Sequence, residues 1–221
     1  MAKNKKNRIV IISVTVIATL ALLFALLRSF HIILHIGDSY KFCFSTEYRV
    51  DGNLNVNDDT ISEIAFMKNL KHFSALYTNL TNIDFITGLT KLESLSVCGN
   101  SDNPESIIKN IPELEYLSDL EYVYLFYVDV ENLDFLSNCT DLKNLTVVTH
   151  GTEIIDISGL KNKQKLKSVY LENVNCSDYS VLLELPALEY LDIYESEIPV
   201  EIKNELFNKN VKINESGSIK P

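Results

Sequence analysis

Apolar residues in the body of this chain follow two alternating periods. Six segments share an L-x-x-L-x-L frame: LKHFSA (70–75), LESLSV (92–97), LEYVYL (120–125), LKNLTV (142–147), LKSVYL (166–171) and LEYLDI (188–193). The alternation inside each frame predicts a short strand with one buried face. Between frames, apolar residues recur at every third position. Leu80, Ile83, Ile86, Leu89 and Leu92 show this best, and Val130, Leu133, Leu136, Cys139, Leu142 and Cys176, Tyr179, Leu182, Leu185, Leu188 repeat it. A period of 2 followed by a period near 3 fits neither a surface helix nor an ordinary strand. It predicts one coil of a stack, whose apolar face is buried only by neighbouring coils.

The last apolar residues of the frames are Ala75, Val97, Leu125, Val147, Leu171 and Ile193, spaced by 22, 28, 22, 24 and 22 residues. LNV and VKI read as weaker flanking copies, with Val56 and Ile213 as markers, so the array is expected to span 54–213. The long repeat carries its extra residues within 99–119. Asn103-Pro104 there predicts a helix near 104–110, with Pro at its first position. Lys163 stands where the period of 3 asks for an apolar residue, and is expected to bulge or snorkel. Stack ends need covers. Tyr40, Phe42 and Phe44 alternate with Lys41 and Cys43 as a strand of an amino-terminal cap. Thr60-Ile-Ser-Glu63 reads as a capping box opening a helix near 61–68. Pro199 opens a closing helix containing Val200, Ile202, Leu206 and Phe207, and residues 215–221 are expected to fray.

The unit LTNIDFITGLTKLESLSVCGN (80–100) resembles the leucine-rich repeat family, in particular its 22-residue bacterial, internalin-like type, and the resemblance extends over about 70% of the chain. It implies an α/β fold: a solenoid with parallel strands on the concave side and 3₁₀ or helical pieces on the convex side. The family's asparagine after the strand is present only as Asn100; Thr78, Val128, His150, Val174 and Ser196 stand elsewhere, so those turns must satisfy their backbone groups otherwise.

Ahead of the array, residues 9–27 form an uncharged run whose only polar side chains are Ser13, Thr15 and Thr19. Nineteen residues at helical rise span roughly 28 Å, against a bilayer core of about 30 Å. Apolar character resumes at Phe30, Ile32, Ile33, Leu34 and Ile36, so a helix spanning 9–36 is expected, with Arg28 snorkelling. A cleaved signal peptide is the competing reading. Its apolar region is usually shorter and ends at alanines two apart, and Ala18, Ala21 and Ala25 do not provide them. Lys3, Lys5, Lys6 and Arg8 keep the amino terminus cytoplasmic and place the body outside. The expected division is a basic head 1–8, an anchor helix 9–36, a cap and first rung 37–69, repeats 70–198, and a carboxy-terminal cap and tail 199–221.

Charge supports this division. The chain carries −10 overall, from 20 basic and 30 acidic residues, and every acid lies after residue 37. An acidic body argues against nucleic acid as a partner. The four cysteines sit at different points of the coil, so buried thiols are expected at Cys139 and Cys176 rather than disulfides, and Cys98 is expected on the opposite side. Asp51-Gly-Asn-Leu-Asn-Val-Asn57 hints at a calcium loop, but Val56 and Ser62 occupy positions that need Gly and Glu. Five N-x-S/T sites, beginning at Asn79, Asn138, Asn144, Asn175 and Asn214, are by-products of the repeat. No nucleophile elbow, phosphate loop or zinc motif is present, so neither catalysis nor a cofactor is expected.

Strand geometry assigns three concave-facing positions to each rung. The first rung is expected to show Asn53, Asn55 and Asn57, and the last Asn210, Lys212 and Asn214. Across all rungs this assignment leaves only Glu172, Asp192 and Lys212 charged, and collects Tyr122, Tyr124, Phe126, Tyr170, Tyr190 and Tyr194. Tyrosine-rich, charge-poor surface is typical of binding regions. The candidate ligand-binding residues are therefore Tyr122, Tyr124, Phe126, Tyr170, Glu172, Tyr190, Asp192 and Tyr194. The expected function is recognition of a protein or glycan by a membrane-anchored, extracytoplasmic module. The alternative is a scaffolding subunit of an envelope assembly, docking by the insertion 99–119 or the array ends.

Overall fold

The computed structural model describes residues 2–100, 107–109, 111–150 and 154–216, with side chains from Val14 to Glu215. Helix α1 (Ala2–Ser29) leads into a hairpin of β1 (Ile33–Ile36) and β2 (Ser39–Phe42). An eight-stranded sheet follows: β3 (Glu47–Asp51), β4 (His72–Leu76), β5 (Ser94–Cys98), β6 (Tyr122–Val128), β7 (Asn144–Thr149), β9 (Ser168–Glu172), β11 (Tyr190–Tyr194) and β12 (Lys212–Ser216). All its neighbours are parallel and stand in chain order. The intervening β8 (Ile154–Ile155) and β10 (Asn175–Cys176) pair with each other in a separate two-stranded parallel sheet.

Each inner strand of the sheet, from β4 to β11, buries two alternate side chains. Phe73 and Ala75, Leu95 and Val97, Val123 and Leu125, Leu145 and Val147, Val169 and Leu171 stack rung on rung and are essentially inaccessible. The period of 3 becomes a 3₁₀ turn, whose three residues per turn bring every third side chain to one face. Such turns occur at Ser62–Phe66, Asp84–Gly88, Asp134–Leu136, Ser158–Leu160 and Ser180–Glu184. Leu80, Ile83, Ile86, Leu89 and Leu92 are accordingly all buried.

These turns open on a recurring side-chain device. The carboxamide or carboxylate of Asn82, Asn132, Asp156 and Asp178 accepts from the backbone N–H two residues on, at 3.3, 3.0, 2.8 and 2.8 Å. Part of the work of the missing asparagine ladder is done elsewhere. The Ser196 hydroxyl accepts from the buried Val174 N–H at 2.9 Å, and the Thr149 hydroxyl donates to the Asn173 carbonyl at 2.7 Å. Among the described residues Thr78 Oγ1 is buried without a hydrogen-bond partner.

The ends differ from the sequence expectation. α1 stops at Ser29 instead of continuing to 36. His31 adopts φ 53, the Ile32 N–H bonds the Leu27 carbonyl and the His31 N–H bonds the Arg28 carbonyl, closing the helix by a left-handed cap. Leu34 and Ile36 are then free to enter the core of the repeats, where both are fully buried. The first rung is Glu47–Asp51, not the LNV segment: Tyr48 and Val50 pair with Phe73 and Ala75. Val56 is buried, but from the turn that follows. The capping box lies one turn earlier than expected, on Asn57 and Thr60, and α2 (Asp58–Ile61) passes directly into a 3₁₀ turn. At the other end α3 (Val200–Asn208) starts after Pro199 as expected, but Ile213, expected as the counterpart of Ile193, pairs with Leu191, and Glu215 stands opposite Ile193. The helix expected near 104–110 falls mostly outside the described residues; within it Ile108 makes a parallel bridge to Val128, which is extended chain.

Lys163 neither bulges nor reaches solvent. It is 1% exposed, and its ammonium donates to the Ser137 carbonyl of the preceding coil at 2.7 Å. Burial lowers its pKa, opposed by the nearby Cys139. Among the described residues all four cysteines are free, with Cys139 and Cys98 buried and Cys176 half-buried.

Candidate functional site

Strand register arranges the concave side chains in three rows. The first runs Glu47, His72, Ser94, Tyr122, Asn144, Ser168, Tyr190, Lys212. The second runs Arg49, Ser74, Ser96, Tyr124, Thr146, Tyr170, Asp192, Asn214. The third runs Asp51, Leu76, Cys98, Phe126, Val148, Glu172, Tyr194. Asn53, Asn55, Asn57 and Asn210 are not on this face. At the amino-terminal end their places are taken by Glu47, Arg49 and Asp51.

This corrects the distribution of charge. The three charges expected from β9 to β12 are joined by Glu47, Arg49 and Asp51 on β3, so both ends of the face are charged. The four strands between, β4 to β7, carry no Lys, Arg, Asp or Glu in any of the three rows. The third row is partly covered, since Cys98 and Val148 are only 3% and 5% exposed.

The eight expected site residues fall into two groups. Tyr122, Tyr124 and Phe126 lie on β6, half-buried, and burial raises the Tyr124 pKa. Tyr170, Glu172, Tyr190, Asp192 and Tyr194 lie on β9 and β11, with β7 separating the groups by two strand spacings, roughly 10 Å. The second group is internally tied. The Tyr170 and Tyr194 rings stack at 5.1 Å, and the Tyr170 hydroxyl donates to Glu172 Oε2 at 2.6 Å. Burial first, then that carboxylate, raises the Tyr170 pKa and keeps the phenol protonated. Lys212 Nζ sits 4.9 Å from the Tyr190 ring centroid, and Asn214 donates to the Tyr194 hydroxyl at 3.0 Å.

Beside the first group lies a hollow of about 400 Å³. Its floor is His72, Ser74, Leu76, Ser94 and Ser96; Tyr124 forms one wall, and Glu47, Arg49 and Asp51 form the other. Small hydroxyl side chains between a tyrosine and a charged rim leave room for a guest side chain or sugar and offer it hydrogen bonds. Sequence reasoning missed this charged wall, although the E-Y-R-V alternation at 47–50 carried the signal.

It also missed Tyr77 and Tyr127. Both follow the third concave position of their strands and hold left-handed backbone, at φ 50 and 53. Tyr127 is the extra residue where the β6–β7 register shifts between Phe126 and Val128. That conformation costs a bulky residue about 1–2 kcal/mol, and bulges of this kind re-aim side chains at strand ends. Among the described residues no group of His, Cys, Asp and Glu is arranged to hold a metal ion.

The stacked parallel strands and convex 3₁₀ turns are the fold of leucine-rich repeat proteins, as the repeat unit led us to expect. Among solved structures the chain is similar to internalin C2 from Listeria monocytogenes, at 19% identity and a TM-score of 0.60, over 77% of this chain and 80% of that one. It is also similar to the plant peptide hormone receptor RGFR1 in complex with RGF2, at 13% identity and a TM-score of 0.50, over 80% of this chain and 33% of the receptor chain. No family model matches the chain, and no curated protein matches it.

Proposed function

We propose that this protein is a non-catalytic recognition module, held at a membrane by α1, that binds a protein or glycan through its concave face. The observation that carries the reading is the uncharged stretch from β4 to β7, where the β6 aromatics stand beside the hollow. Half-buried tyrosines on rigid strands offer large contact area at low entropic cost. Tyr170, Tyr190 and Tyr194 form the flanking part of the same surface, with Glu172, Asp192 and Lys212 at its charged border. The similarity to a peptide hormone receptor agrees with protein recognition as the use of this fold.

Anchoring rests on α1. Among the described residues no helix is long and apolar enough to cross a membrane. The described part of α1 nevertheless leaves Val14, Val16, Ile17, Leu20, Leu22, Leu23 and Leu26 between 48% and 65% exposed, on all sides of the helix. With the uncharged residues before Val14, this surface calls for lipid around it. The basic residues ahead of the run orient the repeats outward.

The test is capture of partners from intact cells by the full chain and by its Tyr122→Ala, Tyr124→Ala double variant. Each lost anchor is expected to cost about 2 kcal/mol, or roughly 30-fold in affinity, with the melting temperature unchanged. Unchanged capture by the double variant overturns the reading.

A further inference from the structure

Aromatic side chains collect a second time on this molecule, on the amino-terminal cap and outside the three concave rows. Tyr40, Phe42 and Phe44 share the outer side of the cap hairpin by alternation, and are 56%, 49% and 59% exposed. Phe30, just after α1, is 72% exposed. The patch joins the helix without a break: the Phe24 ring meets Tyr40 edge-on at 5.2 Å, and Phe42 stacks on Phe44 at 5.1 Å.

The junction has no slack. Only three residues separate α1 from β1, and two of them are fixed by the helix cap. Arg28 forks onto Glu63 at 2.5 and 2.7 Å and also donates to the Ile33 carbonyl at 2.8 Å. Glu63 in turn accepts from the His35 N–H at 2.7 Å. The end of α1 is thereby bolted to the cap. The hairpin must sit at the level of the last helical turns, and Phe24 to Ser29 spans roughly 8 Å along the axis, about one headgroup layer.

We propose that Phe30, Tyr40, Phe42 and Phe44 form an interfacial collar that rests in the outer headgroup region of the bilayer, so that the repeat domain is seated on the lipid surface instead of swinging from it. This deepens the membrane-anchor reading and rests on it. The occupant is lipid because the patch continues the all-round apolar surface of α1, and because aromatic rings favour the boundary between hydrocarbon and headgroups.

The chain contains no Trp, so single substitutions give an unambiguous probe. The full chain carrying Phe44→Trp, and separately Phe42→Trp, is reconstituted in phosphatidylcholine/phosphatidylglycerol vesicles whose acyl chains are brominated at a shallow or a deep position. Leu20→Trp reports on the anchor and Tyr116→Trp, 65% exposed among the repeats, on bulk water. The collar predicts that F44W and F42W are quenched more strongly by shallow than by deep bromines, while L20W is quenched by deep ones and Y116W by neither. If L20W is quenched and both collar variants behave like Y116W, the anchor stands and the collar is overturned. If both collar variants emit from an apolar setting yet resist all bromolipids, a second copy or another protein covers the patch, and the lipid proposal is again overturned. Absence of quenching in L20W removes the anchor and the collar together.

Discussion

Lys163 offers a direct check on the packing logic of the coil. The convex pattern asks for an apolar residue there, and the structure buries the side chain to 1% exposure, with one bond to the Ser137 carbonyl at 2.7 Å. Met has a similar unbranched length and fills the same slot. The substitution removes an ammonium whose desolvation costs several kcal/mol. It forfeits a charge-assisted hydrogen bond and strands a carbonyl, together about 2–4 kcal/mol. We expect desolvation to win and Lys163→Met to stabilise the protein by about 1 kcal/mol, or about 2–4 °C in melting temperature. The pH dependence fixes the sign. Burial lowers the folded pKa of Lys163 below 10.5, so the unfolded chain binds more protons over that interval. The native protein therefore gains stability as pH rises toward 10.5, and the advantage of the variant shrinks. Cys139, pushed up to about 11 by burial and lowered in turn by Lys163, gives the opposite slope above pH 9, so the two proteins are compared in a Cys139→Ala background. Calorimetric or circular-dichroism melts across this range check it. A variant that melts below the native protein at neutral pH, or a difference that does not change with pH, refutes the reasoning.

Three further outcomes follow from the same geometry. A Cβ on Gly159 would lie 2.1 Å from the Leu133 carbonyl oxygen, which belongs to the preceding coil, so Gly159→Ala is expected to cost about 3 kcal/mol and visibly lower the melting temperature. Ser196→Ala strands the buried Val174 N–H and is expected to cost about 1–3 kcal/mol, with faster amide exchange at Val174. Arg28 first, and the His35 N–H, hold the Glu63 carboxyl at a pKa of about 2, so its contribution is present above pH 4.5 and is lost as pH falls toward 2. Protease digestion of the cap in that window should accelerate in the native chain, and Glu63→Gln should show the fast rate already at neutral pH.

The fold was legible because its two periods are physical periods. Alternation marks strands that bury one face, and spacing by three marks 3₁₀ turns, so the stack from β4 to β11 was placed residue by residue. The ends were not, because a terminal coil has a neighbour on one side only and its pattern is diluted. LNV imitated a strand, whereas Tyr48 and Val50, half-hidden in a charged E-Y-R-V-D segment, form it. That single displacement also distorted the view of the site. With asparagines assigned to the first rung only Glu172, Asp192 and Lys212 looked charged, all toward one end; with Glu47, Arg49 and Asp51 in place both ends are charged and only the middle is clear. The β6 aromatics kept their position, since their register is set by Val123 and Leu125 in the core. Apolar continuity through Ile36 suggested a longer helix, because core residues of a cap and lipid-facing residues look alike in composition. The Asn82, Asn132, Asp156 and Asp178 series was present in the sequence but needed the structure to give it a purpose.

The central claim is that the middle of the concave face touches the partner. A photo-reactive phenylalanine analogue at position 124, compared with the same group at the exposed position 116 outside the concave strands, tests this in intact cells without isolating the partner first. A concave binding surface gives a discrete covalent adduct from position 124 and none from position 116. An adduct from position 116 alone would contradict it.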